Sequence, residues 1–347
     1  MKGSVLKKFL CTCLVTAAAF AATTISASAC TTIYVGGDLV EEGTPFVART
    51  EDYGSDYNKL WFISESGKWK QGDHYVGCPE YGPFEWDFTH DSYRFTYFTN
   101  DIYYDGICPE CGEKADHYSY TEFGTNEKGV SVSATETLYG NEKVTEADPY
   151  RDAEWAEANK SERIGIEETD IPTIILAEAS SAHEGVKLLL DIYENYGCVA
   201  ASGVFVCDKD EVWYVENCSG TQYVAIKLND NMIFLEPNMA VIGRVDLDDE
   251  NVIASKDLIA VAKKAGTFVG DEAKNIIDFR ASYARISEKM DQRMIDGLNY
   301  LNAAYKYDSD ALVADNTKFT ISNLDANDKL VALYTNIKAD RKLDKDD

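Results

Sequence analysis

The first 30 residues constrain the fold most, because they define where the folded part of the chain is expected to begin. Residues 1–29 have the layout of a secretory signal: a basic start, an apolar stretch from Phe9 to Ala22, and the small-x-small sequence Ala27-Ser28-Ala29. Cleavage after Ala29 would make Cys30 the first residue of the mature chain. We therefore expect a signal peptide at 1–29 and a folded chain that starts at Cys30.

A cysteine at the first position combines a thiol and a free α-amine in one residue. The thiolate is the form that attacks carbonyl groups, and an α-amine with a pKa of about 8 can take the thiol proton near neutral pH. The same amine can later protonate the leaving group. This pattern predicts that Cys30 is the nucleophile of a hydrolase and that its own α-amine is the base.

Two other roles for Cys30 remain open from its position alone. It could be the lipid-modified first residue of a surface lipoprotein, although such signals usually carry Leu three residues earlier, where this chain has Ala27. It could also be buried or disulfide-bonded, since export favours disulfides and free cysteines are among the most buried residues.

Composition and charge exclude several classes of protein. The chain has 60 acidic and 33 basic residues, a net charge of −27, which repels nucleic acid and anionic membranes. At 45% apolar and 27% charged residues it has an ordinary globular composition. The apolar stretch from Phe9 to Ala22 is too short to span a bilayer, and no other stretch qualifies. We expect an exported protein without a membrane span and without a nucleic-acid partner.

Cysteine usage agrees with one free thiol in an exported chain. Two of the nine cysteines, Cys11 and Cys13, lie in the signal, and an odd number remains. The pair Cys108-Pro-Glu-Cys111 resembles half of a zinc site, which Cys78 and His117 could complete. A disulfide-linked loop fits an exported protein equally well, so no metal or other cofactor is assigned. The cysteines whose pairing stays open are Cys78, Cys108, Cys111, Cys198, Cys207 and Cys218.

The order of strand and helix patterns predicts an α+β fold. Helices are predicted at 174–179, 181–196, 255–265 and 283–305, and residues 141–170 are predicted to be loop with a short helix. Residues 55–125, rich in Tyr and Gly, are predicted to be a long aromatic loop excursion. No linker or repeat is evident, so we expect a single domain over 30–347, with antiparallel sheets and helices on the outer faces. The predicted strands are 31–35, 46–50, 130–138, 203–207, 212–216, 223–228 and 232–235.

Several short motifs, in order behind an N-terminal cysteine, resemble a known family. They resemble the cysteine dipeptidases related to dipeptidase A of lactic-acid bacteria, which are N-terminal-nucleophile hydrolases akin to bile salt hydrolase and penicillin V acylase. The resemblance runs from residue 30 to about 245 and is weaker beyond. The motifs are Cys30-Thr31-Thr32-Ile33, Ala48-Arg49-Thr50-Glu51-Asp52, Asn126-Glu127-Lys128-Gly129-Val130, Ala134-Thr135-Glu136, Gly165-Ile166-Glu167-Glu168, the helix 182–197, Glu211-Val212-Trp213-Tyr214-Val215-Glu216 and Pro237-Asn238.

The resemblance implies a four-layer αββα sandwich of two antiparallel sheets and hydrolysis of peptide bonds. It implies that Arg49 lies near the sulfur and that Asp52 holds the α-amine of Cys30. It also implies that the Asn238 side chain donates to the tetrahedral oxyanion. Without the resemblance, an Arg-x-x-Asp spacing is more simply a surface ion pair, and Pro-Asn is a common turn pair.

Three further residues are implied to contact substrate. Thr135 and Glu136 correspond to a strand that lines the site in relatives, and the acylases carry Asn where this chain has Glu136. That difference fits contact with a substrate amine, and it equally fits a solvent-facing side chain. Arg285 matches a site arginine of the acylases by a loose alignment. The alternative interpretation is that Arg285 lies on the surface of a helix.

These inferences lead to one predicted function and two alternatives. The prediction is an exported cysteine dipeptidase that uses Cys30 on dipeptides or small peptides, without cofactor or metal. The first alternative is an amide acylase of the bile salt hydrolase or penicillin V acylase type. The second is a non-catalytic surface lipoprotein anchored through Cys30. Which peptides are cleaved and whether the chain forms a homo-oligomer stay open.

Overall fold

The computed structural model describes residues 30–51, 59–77, 84–100, 121–135, 138–286, 292–304, 330–332 and 339–344. Within these ranges the chain is mainly antiparallel β-sheet. The strands are β1 (Thr31–Val35), β2 (Phe46–Thr50), β3 (Lys59–Ser64), β4 (His74–Val76), β5 (Glu85–Asp87), β6 (Phe95–Asn100), β7 (Phe123–Asn126), β8 (Ser131–Thr135), β9 (Gly203–Cys207), β10 (Val212–Asn217), β11 (Tyr223–Lys227), β12 (Ile233–Glu236), β13 (Ile242–Asp246), β14 (Val252–Ala254), β15 (Gly270–Asp271), β16 (Ile276–Asp278) and β17 (Leu330–Ala332).

The helices are short and lie between groups of strands. The longest, α4, begins after Ser181, whose hydroxyl accepts a hydrogen bond from the Glu184 N–H at 3.2 Å, a cap worth about 1 kcal/mol. It ends before Gly197, which takes the left-handed backbone (φ 79°) that glycine adopts without strain. The helices are α1 (Glu142–Ala147), α2 (Ala153–Asn159), α3 (Ile171–Glu178), α4 (Ala182–Asn195), α5 (Leu258–Ala265), α6 (Phe279–Tyr283) and α7 (Gln292–Leu301).

Two sheets form the centre of the fold. The larger has eight strands in the order β14-β11-β10-β9-β8-β7-β6-β3, and the smaller has three in the order β12-β1-β2. Every pairing in both sheets is antiparallel. A four-stranded sheet, β15-β16-β13-β17, and the β4-β5 hairpin complete the described strands.

Side chains of alternate residues on the central strands fill two different cores. In β9, Val204 and Val206 pack with helices α3 and α4, whereas Phe205 between them packs with the smaller sheet. Strand residues alternate between faces, so one strand serves both cores. The ring of Phe234 in β12 lies 5.9 Å from that of Phe205 and 4.5 Å from that of Tyr214, which closes the space between the two sheets.

Helix α7 covers the outer side of the smaller sheet. Its buried residues Met294, Ile295 and Leu298 belong to the same core as the β12 side chains, and Gly297 lies against Leu235. The order of layers is therefore helix, large sheet, small sheet, helix. This confirms the predicted α+β class with two antiparallel sheets between helices.

The predicted loop excursion over 55–125 is wrong in part. Its described residues include the strands β3 and β6, which pair along their whole length and extend the large sheet. Phe95–Asn100 consists mainly of aromatic residues and threonine, which favour strands, but the surrounding glycines and tyrosines obscured this signal. The aromatic content of this region serves, in the described part, to build one edge of the sheet.

The helix predicted at 283–305 is also wrong in its first part. Helix α6 ends at Tyr283, and the described residues 284–286 that follow it are not helical. Helix α7 is described from Gln292. The segment at 141–170 contains two short helices, α1 and α2, where one was predicted. The strands of the meander from β9 to β12 agree with the prediction to within one residue at each end.

Candidate active site

Cys30 directly precedes β1, the middle strand of the smaller sheet, and is 3% exposed. The register of that sheet pairs Thr32 with Arg49 on one side and with Glu236 on the other. The end of β2 and the turn after β12 therefore both lie beside the cysteine. Residues far apart in sequence are brought to one place because β1 pairs with strands on both of its edges.

Arg49 reaches the sulfur of Cys30. Its Nη2 donates to Sγ at 3.5 Å, while Nη1 donates to the carbonyl oxygens of Ala134 (2.7 Å) and Glu122 (3.2 Å). These bonds to the larger sheet fix the guanidinium in one orientation. A cation held at this distance favours the thiolate over the thiol.

The surrounding charges keep Arg49 in its protonated form. Burial lowers the pKa of Arg49, but the charges of Cys30 and Glu168 outweigh that effect and raise it above the ordinary value. The carboxylates of Glu51 and Glu168 lie 3.9 and 4.0 Å from Nη2. The cation beside the sulfur is thus itself flanked by carboxylates.

A carboxyl pair bridged by a lysine lies next to Arg49. The Lys59 ammonium bonds to both carboxyl oxygens of Glu122 at 2.7 Å and forms an ion pair with Glu51. Burial and then the neighbouring Glu51 raise the pKa of Glu122 to about 8. Burial would also raise the pKa of Glu51, but hydrogen bonding to Glu122 and Lys59 lowers it. At neutral pH the two carboxyl groups therefore share one proton.

Arg293 of helix α7 links the cysteine to the turn that carries Asn238. Its Nη1 donates to the Cys30 carbonyl oxygen at 2.7 Å and to Thr31 Oγ1 at 3.0 Å, and its Nη2 donates to Asn238 Oδ1 at 2.8 Å. Since Oδ1 accepts from Arg293, the amide nitrogen is the group with which Asn238 can donate. An amide donor beside a nucleophile suits stabilisation of an oxyanion.

The structure brings together three of the seven site residues predicted from the sequence. Cys30, Arg49 and Asn238 share direct contacts or a common partner in Arg293. Thr135 is buried at the end of β8, where its hydroxyl donates to the Gly203 carbonyl at 3.3 Å. Asp52 and Glu136 lie outside the described residues, and their predicted roles stay predictions.

Arg285 has a different location from the one its predicted role suggests. It is exposed after α6, and its guanidinium lies 4.4 Å from the ring centroid of Tyr139. The arginine that reaches Cys30 from this part of the chain is Arg293. The sequence alone does not single it out, because its role arises only when the amphipathic helix α7 packs on β12 beside Asn238.

A cleft of about 690 Å³ opens between the two sheets beside Arg49. Glu51, Lys59 and Glu122 form a charged side of this cleft, and the opposite walls are mainly apolar. A second thiol, Cys207, also lines it, but burial and the charge of Asp208 raise its pKa to about 11. That thiol stays protonated at neutral pH. The apolar residues that line the cleft include Val47, Phe98, Phe123, Val132 and Phe205.

The structure provides no basis for a metal site or a membrane span in the part of the chain it describes. Among those residues, no three His, Cys, Asp or Glu side chains are arranged to hold a metal ion. The described helices also include none long and apolar enough to cross a membrane. Cys78, Cys108, Cys111 and His117 lie outside the described residues. Cys30, Cys198, Cys207 and Cys218 are not disulfide-bonded.

Comparison with known proteins identifies relatives over most of the chain. The model of peptidase family C69 matches residues 29–330. A "Probable dipeptidase B" of Streptococcus pyogenes serotype M6 is 33% identical over 247 residues, which are 71% of this chain and 44% of that protein. A "Probable dipeptidase" of Salmonella dublin is 32% identical over 262 residues, 74% of this chain and 53% of that protein. The chain spans about half the length of the curated relatives it matches.

Among solved structures, penicillin V acylase from Agrobacterium tumefaciens aligns at 15% identity with a TM-score of 0.34, over 60% of this chain and 49% of that one. A similarity this low carries no argument about the present chain. The sequence match to residues 29–330, together with relatives above 30% identity, confirms the resemblance to the cysteine dipeptidases. The chain belongs to peptidase family C69.

Proposed function

We propose that this chain is an exported cysteine dipeptidase in which Cys30, at the mature N-terminus, is the nucleophile. The observation that carries the proposal is the Arg49 guanidinium 3.5 Å from the Cys30 sulfur, in a chain of peptidase family C69. The cation stabilises the thiolate, and we assign the neighbouring Asn238 amide the role of oxyanion donor. The names of the relatives add peptide hydrolysis as the reaction class.

The reaction follows from the groups around the sulfur. The α-amine of Cys30 takes the thiol proton, and the thiolate attacks the carbonyl carbon of the scissile peptide bond. Negative charge develops on the carbonyl oxygen, where the Asn238 amide donates. The protonated α-amine then gives its proton to the leaving amine, and a thioester remains on Cys30. Water, deprotonated by the same amine, attacks that thioester and releases the acid and the free thiol.

The charges beside the sulfur favour a small peptide with a free α-ammonium group. Glu51 and Glu168 place carboxylates within about 4 Å of the same guanidinium nitrogen that contacts Cys30. In a bound dipeptide the α-ammonium lies only about 2.5 Å from the carbonyl carbon under attack. A carboxylate near the nucleophile can therefore bind the substrate amine while the thiolate attacks. An acylase for anionic bile salts has no evident use for such carboxylates.

The test is hydrolysis of a panel of dipeptides, their N-acetyl derivatives, glycocholate and penicillin V by the secreted protein. We expect activity on free dipeptides, a large loss on acetylation, and no effect of EDTA. Cys30→Ala should lose about 10⁴-fold or more in kcat, as nucleophile removal does elsewhere. Cys218→Ala, which alters a buried thiol of the core, should keep the parent kcat. Activity on glycocholate or penicillin V alone would assign the chain to the acylases instead.

A further inference from the structure

Two buried carboxyl groups lie beneath the turn that carries Asn238. Glu216 belongs to β10 of the large sheet, and Glu236 is the last residue of β12 in the small sheet. Both residues are 0% exposed. Burial of a carboxyl group is unfavourable unless hydrogen bonds compensate it, so their partners indicate what the two residues do.

Their hydrogen bonds go to the backbone on the C-terminal side of Asn238. Glu216 accepts from the N–H of Val241 at 2.7 Å through Oε1 and from the N–H of Ile242 at 3.1 Å through Oε2. Glu236 Oε1 accepts from the N–H of Met239 at 3.2 Å. Three backbone N–H groups between residues 239 and 242 therefore fix the chain after Asn238 to two different strands.

Asn238 needs such anchoring because of its backbone conformation. Its φ is 55°, in the left-handed region, which asparagine enters more readily than most residues but at a higher cost than glycine. A residue stays there only when its surroundings hold it, and such residues cluster at active sites. The side chain is fixed separately, by the Arg293 bond to Oδ1.

The electrostatic cost of the arrangement indicates that the carboxyl groups serve more than packing. Burial raises the pKa of Glu216 to about 8, and the charge of Glu236 adds to that effect, although the Val241 and Ile242 N–H groups lower it. An apolar pair of the same volume would fill this space without that cost. A carboxyl group, unlike an apolar side chain, offers an acceptor oxygen to each of the two adjacent backbone N–H groups.

We propose that Glu216 and Glu236 are positioning residues for catalysis: they hold the turn after β12 so that the Asn238 amide meets the oxyanion formed by Cys30 attack. They touch neither substrate nor sulfur in this account and act only through Asn238. The inference rests on the proposed function, because it requires Asn238 to stabilise a transition state.

The first experiment measures kcat and KM for dipeptide hydrolysis in Glu216→Gln. A glutamine keeps the shape but turns an NH₂ group toward one of the two backbone N–H donors. We expect kcat to fall about 10- to 100-fold, which is less than the 10²- to 10³-fold loss typical when an oxyanion donor is removed. KM should stay within about 3-fold of the parent value. The rate of Cys30 alkylation by iodoacetamide should match the parent, since the nucleophile is untouched.

Glu178→Gln is the matched control. Glu178 is also a buried carboxylate that accepts from a backbone N–H, that of Thr89 at 2.7 Å, but it lies on α3 on the other side of the large sheet. This variant should lose stability without losing kcat. An equal loss of kcat in both variants would show a general effect of weakening the fold and would overturn the proposal.

The decisive comparison adds Glu216→Gln to Asn238→Ala. If Glu216 acts through Asn238, the double variant has the kcat of Asn238→Ala alone. Multiplying losses would overturn the proposal. If Glu216→Gln does not fold, Glu236→Ala provides the same test. If neither variant folds, the two residues serve only to stabilise the fold, and that result would also overturn the proposal. A parent without dipeptidase activity would instead contradict the proposed function.

Discussion

At the scale of single residues, the site consists of a thiol between two arginines with different tasks. Arg49 faces the sulfur and is held by carbonyl oxygens of the large sheet, whereas Arg293 holds the Cys30 backbone and the Asn238 side chain. A lysine could not replace either, because each guanidinium uses both Nη atoms in different directions. Activation of the thiol and its placement are therefore assigned to separate residues.

The two arginines in the C-terminal part of the chain give the first prediction. Arg293→Ala removes three hydrogen bonds beside Cys30 and should lower kcat/KM for dipeptides by about 10²-fold, as misplacement of reacting groups does. Arg285→Ala removes a contact with Tyr139 on the surface. Because such an exposed contact is weak, kcat/KM should change less than about 3-fold. Steady-state kinetics of both variants show which of the two arginines supports catalysis. A larger loss of kcat/KM in Arg285→Ala than in Arg293→Ala would restore the substrate-binding role that the sequence predicts for Arg285.

The second prediction concerns Asp52, which lies outside the described residues. If it holds the α-amine of Cys30, Asp52→Asn should lower kcat by about 10²–10⁴-fold with little change in stability. Asp91→Asn is the control, because Asp91 is exposed and its carboxyl group contacts Lys70 and the backbone of Gln71 on the surface. A dipeptidase rate within a few-fold of the parent in Asp52→Asn would mean that another group holds the amine.

At the scale of elements, pairing across β1 assembles the site and explains what the sequence could predict. Strands β1 and β2 and the meander from β9 to β12 were predictable because they are short runs rich in β-branched and aromatic residues between turn residues. Arg293 was not, since its role depends on helix α7 packing against β12, a contact between residues more than 50 positions apart. The charged cluster of Glu51, Lys59 and Glu122 was not predictable either, because it forms only when β2, β3 and the start of β7 come together.

The start of helix α3 gives a third prediction. Asp170 is fully buried there, bonded to the Tyr75 hydroxyl at 2.6 Å, and burial raises its pKa from 3.8 to about 7. The folded state therefore keeps a proton on Asp170 that the unfolded state releases, so this residue lowers stability progressively as pH rises from about 4 to about 7.

Asp170→Asn should remove that contribution. The free energy of unfolding of both proteins is measured by urea titration at several pH values. The value for the variant minus that for the parent should increase by up to about 1.4 kcal/mol per pH unit within this window. The difference should stop growing above about pH 7. Parallel curves for the two proteins would show that Asp170 is ionised in the folded state.

At the scale of the whole molecule, the family match covers residues 29–330, and the chain spans about half the length of the curated relatives it matches. The described layers nevertheless bring Cys30, Arg49, Asn238 and Arg293 together within this length. The net charge of −27 and the predicted signal fit an exported protein. Removal of that signal is what would give Cys30 its free amine, so export and activity are coupled in this account.

The most direct test of the central claim compares two forms of the protein that differ by one residue at the N-terminus. One begins at Cys30, and the other retains Ala29 before it, with both N-termini verified by mass spectrometry after the assay. The account predicts that the extra residue turns the α-amine into an amide and lowers kcat for dipeptides by about 10²-fold or more, because the base is lost. Equal activity of the two forms, with Ala29 still in place, would contradict it.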